Sequence, residues 1–153
     1  VAEFRKRIND HCKLTEEDFE EIVHIDVPMP LAYADGQFVK ELSLLEPFGV
    51  GNPKPLFARK GISLLSGRKL GKNRNVGKYR IADENGNRYD TIYFGDLERL
   101  DTFLSQRFGG SVTKELYGGG LNIGEASISI AYYPEMNSFA GRESIQIVMQ
   151  YYC

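Results

Sequence analysis

Three prolines and two glycines fall within nine residues, Pro47-Phe48-Gly49-Val50-Gly51-Asn52-Pro53-Lys54-Pro55. Proline lacks the N–H that helices and ladders need, and glycine weakens both, so no regular element can run through this stretch. It acts as a rigid connector and divides the chain. Before it, apolar residues recur at helical spacing; after it, they alternate at strand spacing. The division expected is a helical connector over residues 1–55 and a β domain over residues 56–153.

In the first part, residues 2–12 read as the tail of a helix, with Phe4 and Ile8 on one face. Thr15 is placed to cap a second short helix, with Glu16, Glu17 and Asp18 at the positive end of its dipole. Residues 24–27 are extended and end at Pro28. Residues 36–46 resume a helical pattern through Phe38, Leu42 and Leu45, stopped by Pro47.

In the second part, strands are expected over 57–66, 76–84, 88–94, 125–133 and 143–152. Asn85-Gly86-Asn87 supplies a tight hairpin turn between the second and third. A helix over 96–107 is capped by Asp96 and carries Leu97, Leu100 and Leu104 on one side. Residues 109–124 hold six glycines and read as a long loop, and residues 134–141 as a turn. Three strands, a helix and two strands is the order of the OB-fold, a small Greek-key barrel. The fold class expected is mainly β with flanking helices, a five-stranded OB-fold barrel preceded by a short helical segment. A five-stranded sandwich fragment is the alternative.

Charge is distributed unevenly. Residues 1–53 carry five basic and eleven acidic residues, and residues 81–153 carry five and ten. Residues 54–80 carry nine basic residues and no acidic one, within a chain of net charge −2. A purely positive stretch in an acidic chain is an electrostatic footprint for phosphate, or else a solvated face without a partner. Cys12 and Cys153 lie at opposite ends, outside any Cys/His cluster, and read as two reduced cytosolic thiols. No apolar run has membrane length and no signal-peptide pattern is present, so no membrane partner and a cytoplasmic location are expected. The chain opens on Val1 and directly on helical periodicity, which reads as a piece of a longer protein.

The segment Leu45-Glu46-Pro47-Phe48-Gly49-Val50-Gly51-Asn52-Pro53-Lys54-Pro55-Leu56-Phe57 resembles the entry into the OB domain of RecJ exonucleases. VGKYRIADENGNRYDTIYFG resembles that family's second and third strands, and AYYPEMNSFAGRESIQIVMQYY its last two. The helix from Phe4 to Cys12 resembles the end of the preceding DHHA1-type domain. Lys78 stands where the family's second strand often has a histidine. The resemblance implies a single-stranded-DNA-binding C-terminal module of a 5′-to-3′ single-strand-specific exonuclease acting in DNA repair and recombination. It implies as partners single-stranded DNA, the upstream catalytic domains of the same chain, and single-strand-binding protein. It implies Mn or Mg in the catalytic core and no cofactor in this piece. Catalysis in the family needs an Asp-His-His constellation with further aspartates to hold paired metal ions. Here only His11 and His24 are present, and Asp10-His11-Cys12 is not that motif. The piece is therefore expected to be inactive alone.

OB barrels hold single strands on the face of their second and third strands, beside the loop between the first and second. That loop, residues 66–75, offers Arg68, Lys69, Lys72 and Arg74 to phosphate. Lys78 and Arg80 point away from the Tyr79/Ile81 face and come next. Tyr93, sharing a side with Tyr89, is the candidate for base stacking, against the alternative that it is core. Phe48 is expected to plug the barrel bottom or the interface with the preceding helix, and Asn52 to hydrogen-bond its own turn. A competing function is a protein-interaction module docking a replication or repair partner, which salt dependence would distinguish from phosphate binding.

Overall fold

The computed structural model describes residues 2–13, 15, 22–139 and 141–153. Helix α1 spans Ala2–His11 and leaves Phe4 and Ile8 exposed. The second helix expected from Thr15 falls on residues 16–21, outside the described ones. Strand β1 is Val27–Pro28, so the strand ends at Pro28, and His24 lies in no regular element. A 3-10 turn, Leu31–Tyr33, leads to α2, Gly36–Ser43, where the Asp35 carboxylate accepts from Phe38 N at 2.8 Å.

Five long strands follow: β2 Phe57–Leu70, β3 Val76–Ala82, β4 Arg88–Tyr93, β5 Ser127–Phe139 and β6 Arg142–Tyr152. Between β4 and β5 lie α3, Leu97–Phe108, and α4, Val112–Gly118. The sheet runs β1-β2-β3-β4-β6-β5, and β5 returns to β2, closing a barrel of β2 to β6. Within the barrel β2 serves two neighbours by bending: residues 57–63 pair with β5 and residues 63–70 with β3, while β1 pairs with Phe57 and Ala58 at its start. Its register shifts and the positive φ of Gly61, 72°, mark the bend. The parallel pairing of Thr91, Ile92 and Tyr93 with Ile147, Val148 and Met149 completes the ring.

Asp96 caps α3 as expected, accepting from Glu98 N and Arg99 N, and Leu97, Leu100 and Leu104 are buried beneath it. The hairpin after β3 also forms, with Gly86 at φ 82°. Asp83 organises it: Oδ1 accepts from Asn85 N and Asn87 N, and Oδ2 from Asn87 Nδ2 and Tyr89 Oη.

Three further expectations are corrected. Residues 109–124 are not one long loop, because burial of Val112 and Leu116, four apart, stabilises α4 between the glycines. Strand β5 runs through Pro134 to Phe139; pairing with β2 ends at Tyr132, and proline is tolerated where one side of a strand is unpaired. Strand β2 does not end at Ser66 but continues to Leu70, so only residues 71–75 form the loop.

Its continuation depends on a close approach. Gly67 and Gly77 lie against the ring of Tyr79, where an added Cβ would come within 2.8 Å and 2.4 Å of it. The ring is fully buried, and its hydroxyl meets that of Tyr117 at 3.1 Å.

The core crosses residue 55. Met29, Leu31 and Ala34 are buried in one cluster with Phe57, Ile62 and Tyr132. Tyr132 Oη donates to Met29 O at 2.9 Å, and Phe38 meets Phe57 edge-on at 5.5 Å. Phe48 is half-buried between α2 and β5, beside Leu42 and Tyr133, so it sits at the helix interface rather than plugging the barrel. Asn52 Nδ2 donates to Leu45 O at 2.7 Å and Pro47 O at 3.1 Å, holding its own turn.

Candidate nucleic-acid interface

The end of β2 and strands β3 and β4 form a three-stranded wall. Residues directly opposite in an antiparallel ladder point to the same side, and sides alternate along each strand. One row is Arg68, Lys78 and Ile92; the next is Ser66, Arg80 and Asp90. The intervening Tyr79, Ile81, Thr91 and Tyr93 are buried in the barrel. The cations therefore stand on the outer face, around a concavity of about 300 Å³ lined by Ser66, Gly67, Arg68, Lys78, Arg80 and Asp90. Arg80 Nη1 lies 2.5 Å from Asp90 Oδ1, and Lys78 Nζ lies 3.8 Å from Oδ2. Arg68 pairs with none of the described carboxylates.

Of the residues singled out from the sequence, Arg68, Lys78 and Arg80 are brought together. Lys69 is turned to the other side of β2, where Nζ donates to Asp101 Oδ2 on α3 at 2.6 Å. Tyr117 Oη donates to Asp101 Oδ1 at 2.7 Å, which links Lys69 through Asp101 and Tyr117 to Tyr79. Burial pushes the Tyr79 hydroxyl up to about 12, and burial together with these hydrogen bonds holds that of Tyr117 far above the ordinary range. Lys72 and Arg74 are exposed on the 71–75 loop and do not line the concavity.

Tyr93 lies in the core rather than on the outer face, as the alternative reading of it had it. Its ring is 7% exposed and packs edge-on against Tyr152 at 5.8 Å, and burial pushes its hydroxyl up to about 12. The exposed aromatic is its neighbour Phe94, 59% accessible and two residues beyond Ile92 on the outer side. Leu70 is 39% accessible near the same end of the wall. Arg88, two residues before Asp90, extends the outer row of charge. Sequence reasoning missed Phe94 and Arg88. The hairpin register contained the signal, because pairing Lys78 with Ile92 puts the even-numbered residues of β4 outside.

Among the described residues, no group of three or more His, Cys, Asp or Glu is placed to hold a metal ion. No helix among them is long and apolar enough to cross a membrane.

A closed barrel in which the first strand pairs with the second and fourth, with helices between the third and fourth, defines an OB-fold domain. A family described as the RecJ OB domain matches residues 25–151, and the chain belongs to that family. It is 31% identical over 102 residues to the single-stranded-DNA-specific exonuclease RecJ of Bacillus subtilis (strain 168), covering 64% of this chain and 13% of that protein. Crystal structures of RecJ from Thermus thermophilus, in complex with Mg²⁺ and with Mn²⁺, share its fold. Their TM-scores are 0.57 and 0.58 at 18% identity, over 99% of this chain and 20% and 19% of theirs. The chain thus spans about an eighth to a fifth of the length of these relatives.

Proposed function

We propose that the chain is the single-stranded-DNA-binding module of a RecJ-like 5′-to-3′ exonuclease, holding the strand that a catalytic core elsewhere in the parent protein hydrolyses. The observation that carries this is the outer-face cluster of Arg68, Lys78 and Arg80 on the strands where OB barrels bind single strands. Phosphates follow the cations, and Phe94 offers a flat face to a base at the end of the wall. Lys72 and Arg74 extend the positive field beyond the wall. The divalent ions named with the Thermus structures belong, in this proposal, to the parent's catalytic core, since the described residues here do not fit them. Residues 1–55 link to that core, and α1, with Phe4 and Ile8 exposed, faces it.

The test is fluorescence anisotropy with a labelled single-stranded oligonucleotide across a salt series. Log affinity should fall with log salt by about 0.7 per phosphate contact. Changing Arg68, Lys78 and Arg80 together to Ala should reduce that slope by up to about 2. An unchanged slope would move the strand off this wall. Absence of salt-dependent binding would favour docking of a protein partner instead.

A further inference from the structure

The segment joining α4 to β5 forms a fixed wall beside the β3–β4 hairpin. Leu121 N donates to Leu65 O at 2.6 Å, and Gly124 N to Ser63 Oγ at 3.0 Å. Gly120, at φ 88°, lies so close to β2 that an added Cβ would stand 3.3 Å from Leu65 O. Asn122 donates through N and Nδ2 to the Glu125 carboxylate at 2.7 Å and 2.8 Å, so that acid is engaged within the segment's own turn. Opposite this wall stand Arg80 and Arg88. The space between is a concavity of about 380 Å³, lined by Leu65, Ser66, Arg80, Arg88, Leu121, Asn122 and Ile123. That volume falls within the range of about 300–1,000 Å³ usual for small-ligand sites.

Three features set its ligand chemistry. Arg80 and Arg88 line it and no carboxylate does, although Arg80 also pairs with Asp90 beside it, so it favours an anion that takes over that pairing. Arg88 pairs with none of the described carboxylates. The opposite side is Leu121, Asn122 and Ile123, with the Asn122 amide nitrogen engaged by Glu125 and Ile123 51% exposed, which suits a flat uncharged ring better than a second phosphate. The recess also shares Ser66 and Arg80 with the cationic concavity over Arg68 and Lys78, so one groove continues into the other. A polymer that lays phosphates along the first would bring a base to the second.

We infer that this recess holds one unstacked nucleotide of the bound strand, its base between the Arg88 guanidinium and the Leu121–Ile123 wall and its phosphate on Arg80. The subsite rests on the single-strand-binding function proposed above and adds a place where the base, not only the backbone, is held.

The test is abasic scanning. An oligo-dT of the shortest length that binds at full affinity prevents sliding, and one abasic sugar is placed at each position in turn. One position, or two adjacent ones, besides any on Phe94, should weaken binding about fivefold to tenfold, the lower end of what one stacked base supplies. In Ile123→Ala that penalty should fall to within about twofold while the salt slope stays as in the parent chain, because no phosphate contact is lost. Arg88→Lys should behave the same way, since lysine keeps the charge but not the plane. A penalty spread evenly over all positions, or one unchanged in both variants, would overturn the subsite and leave salt-dependent binding intact. No salt-dependent binding at all would overturn the subsite and the proposed function together.

Discussion

Arg80 and Asp90 face each other across β3 and β4, with Arg80 Nη1 donating to Asp90 Oδ1 at 2.5 Å. The same carboxylate lies 3.8 Å from Lys78. In the proposed binding mode it stands where a DNA phosphate would stand, and the strand would have to displace it. Both side chains are nearly half exposed, 49% and 42%, so solvent screens the pair. Such pairs contribute about 0.2–1 kcal/mol. Asp90→Asn should tighten single-strand binding by about twofold to fivefold at low salt, with a melting temperature close to that of the parent chain. Anisotropy titration checks this; weaker binding by the variant would mean that Asp90 orients the cations rather than competing with the strand.

Tyr93 and Phe94 are adjacent in sequence and opposite in exposure. Tyr93→Ala would open a cavity beside Tyr152 and should destabilise the fold by about 3–5 kcal/mol, as large aromatic truncations in cores do. Phe94→Ala should change stability by no more than about 0.5 kcal/mol and cost about 1–3 kcal/mol of binding if a base stacks on it. Urea denaturation and anisotropy on the two variants separate these outcomes. Equal effects of both on binding at matched stability would show that Phe94 is not the platform.

Lys69 and Arg68 form a second such pair. Lys69 and Asp101 are 28% and 22% exposed, and the carboxylate also accepts from Tyr117. Lys69→Ala should destabilise by about 1–2 kcal/mol, between exposed ion pairs and hydrogen bonds to buried charge, and should leave the salt slope of binding unchanged. Arg68→Ala should do the reverse, lowering the slope by about 0.7 with little change in stability. A reduced slope in Lys69→Ala would put the strand path on the α3 side of β2.

The parts of the fold legible in the sequence are those with local signals. Asp96 heads α3, Asn85-Gly86-Asn87 turns the hairpin, and alternation in β3 separates Lys78 and Arg80 from Tyr79 and Ile81. The misread parts depend on distant partners. Gly67 reads as a loop residue, yet it makes room for a ring twelve positions away. Lys69 reads as a free cation, but Asp101 lies 32 residues on. The glycines around α4 hide Val112 and Leu116, whose helix is stabilised by burial against the barrel. Tyr93 and Phe94 could be told apart only by fixing the register of β4 against β3, because β-strand composition does not say which face is inside.

Asp83 gives the fold a defined acid sensitivity. Its side chain is buried, 6% exposed, and burial alone would raise its pKa. Hydrogen bonds from Asn87, Tyr89 and Asn85 outweigh that and hold the carboxyl below its ordinary range. A carboxyl depressed in the folded state contributes stability that is complete above its unfolded pKa, about 3.9, and is lost as pH falls through the folded value. The denaturation midpoint should therefore decline below about pH 4, with the hairpin between β3 and β4 weakened first. Asp83→Asn keeps one acceptor oxygen, which can serve either Asn85 N and Asn87 N or Asn87 Nδ2 and Tyr89 Oη, and its amide nitrogen then faces the other pair of donors. The variant should be less stable at neutral pH by about 1–3 kcal/mol and should lose this part of the acid dependence. Urea midpoints for the two proteins between neutral pH and about pH 3 measure both effects. Parallel curves over the whole range would show that the hairpin carboxylate is not titrating with folding.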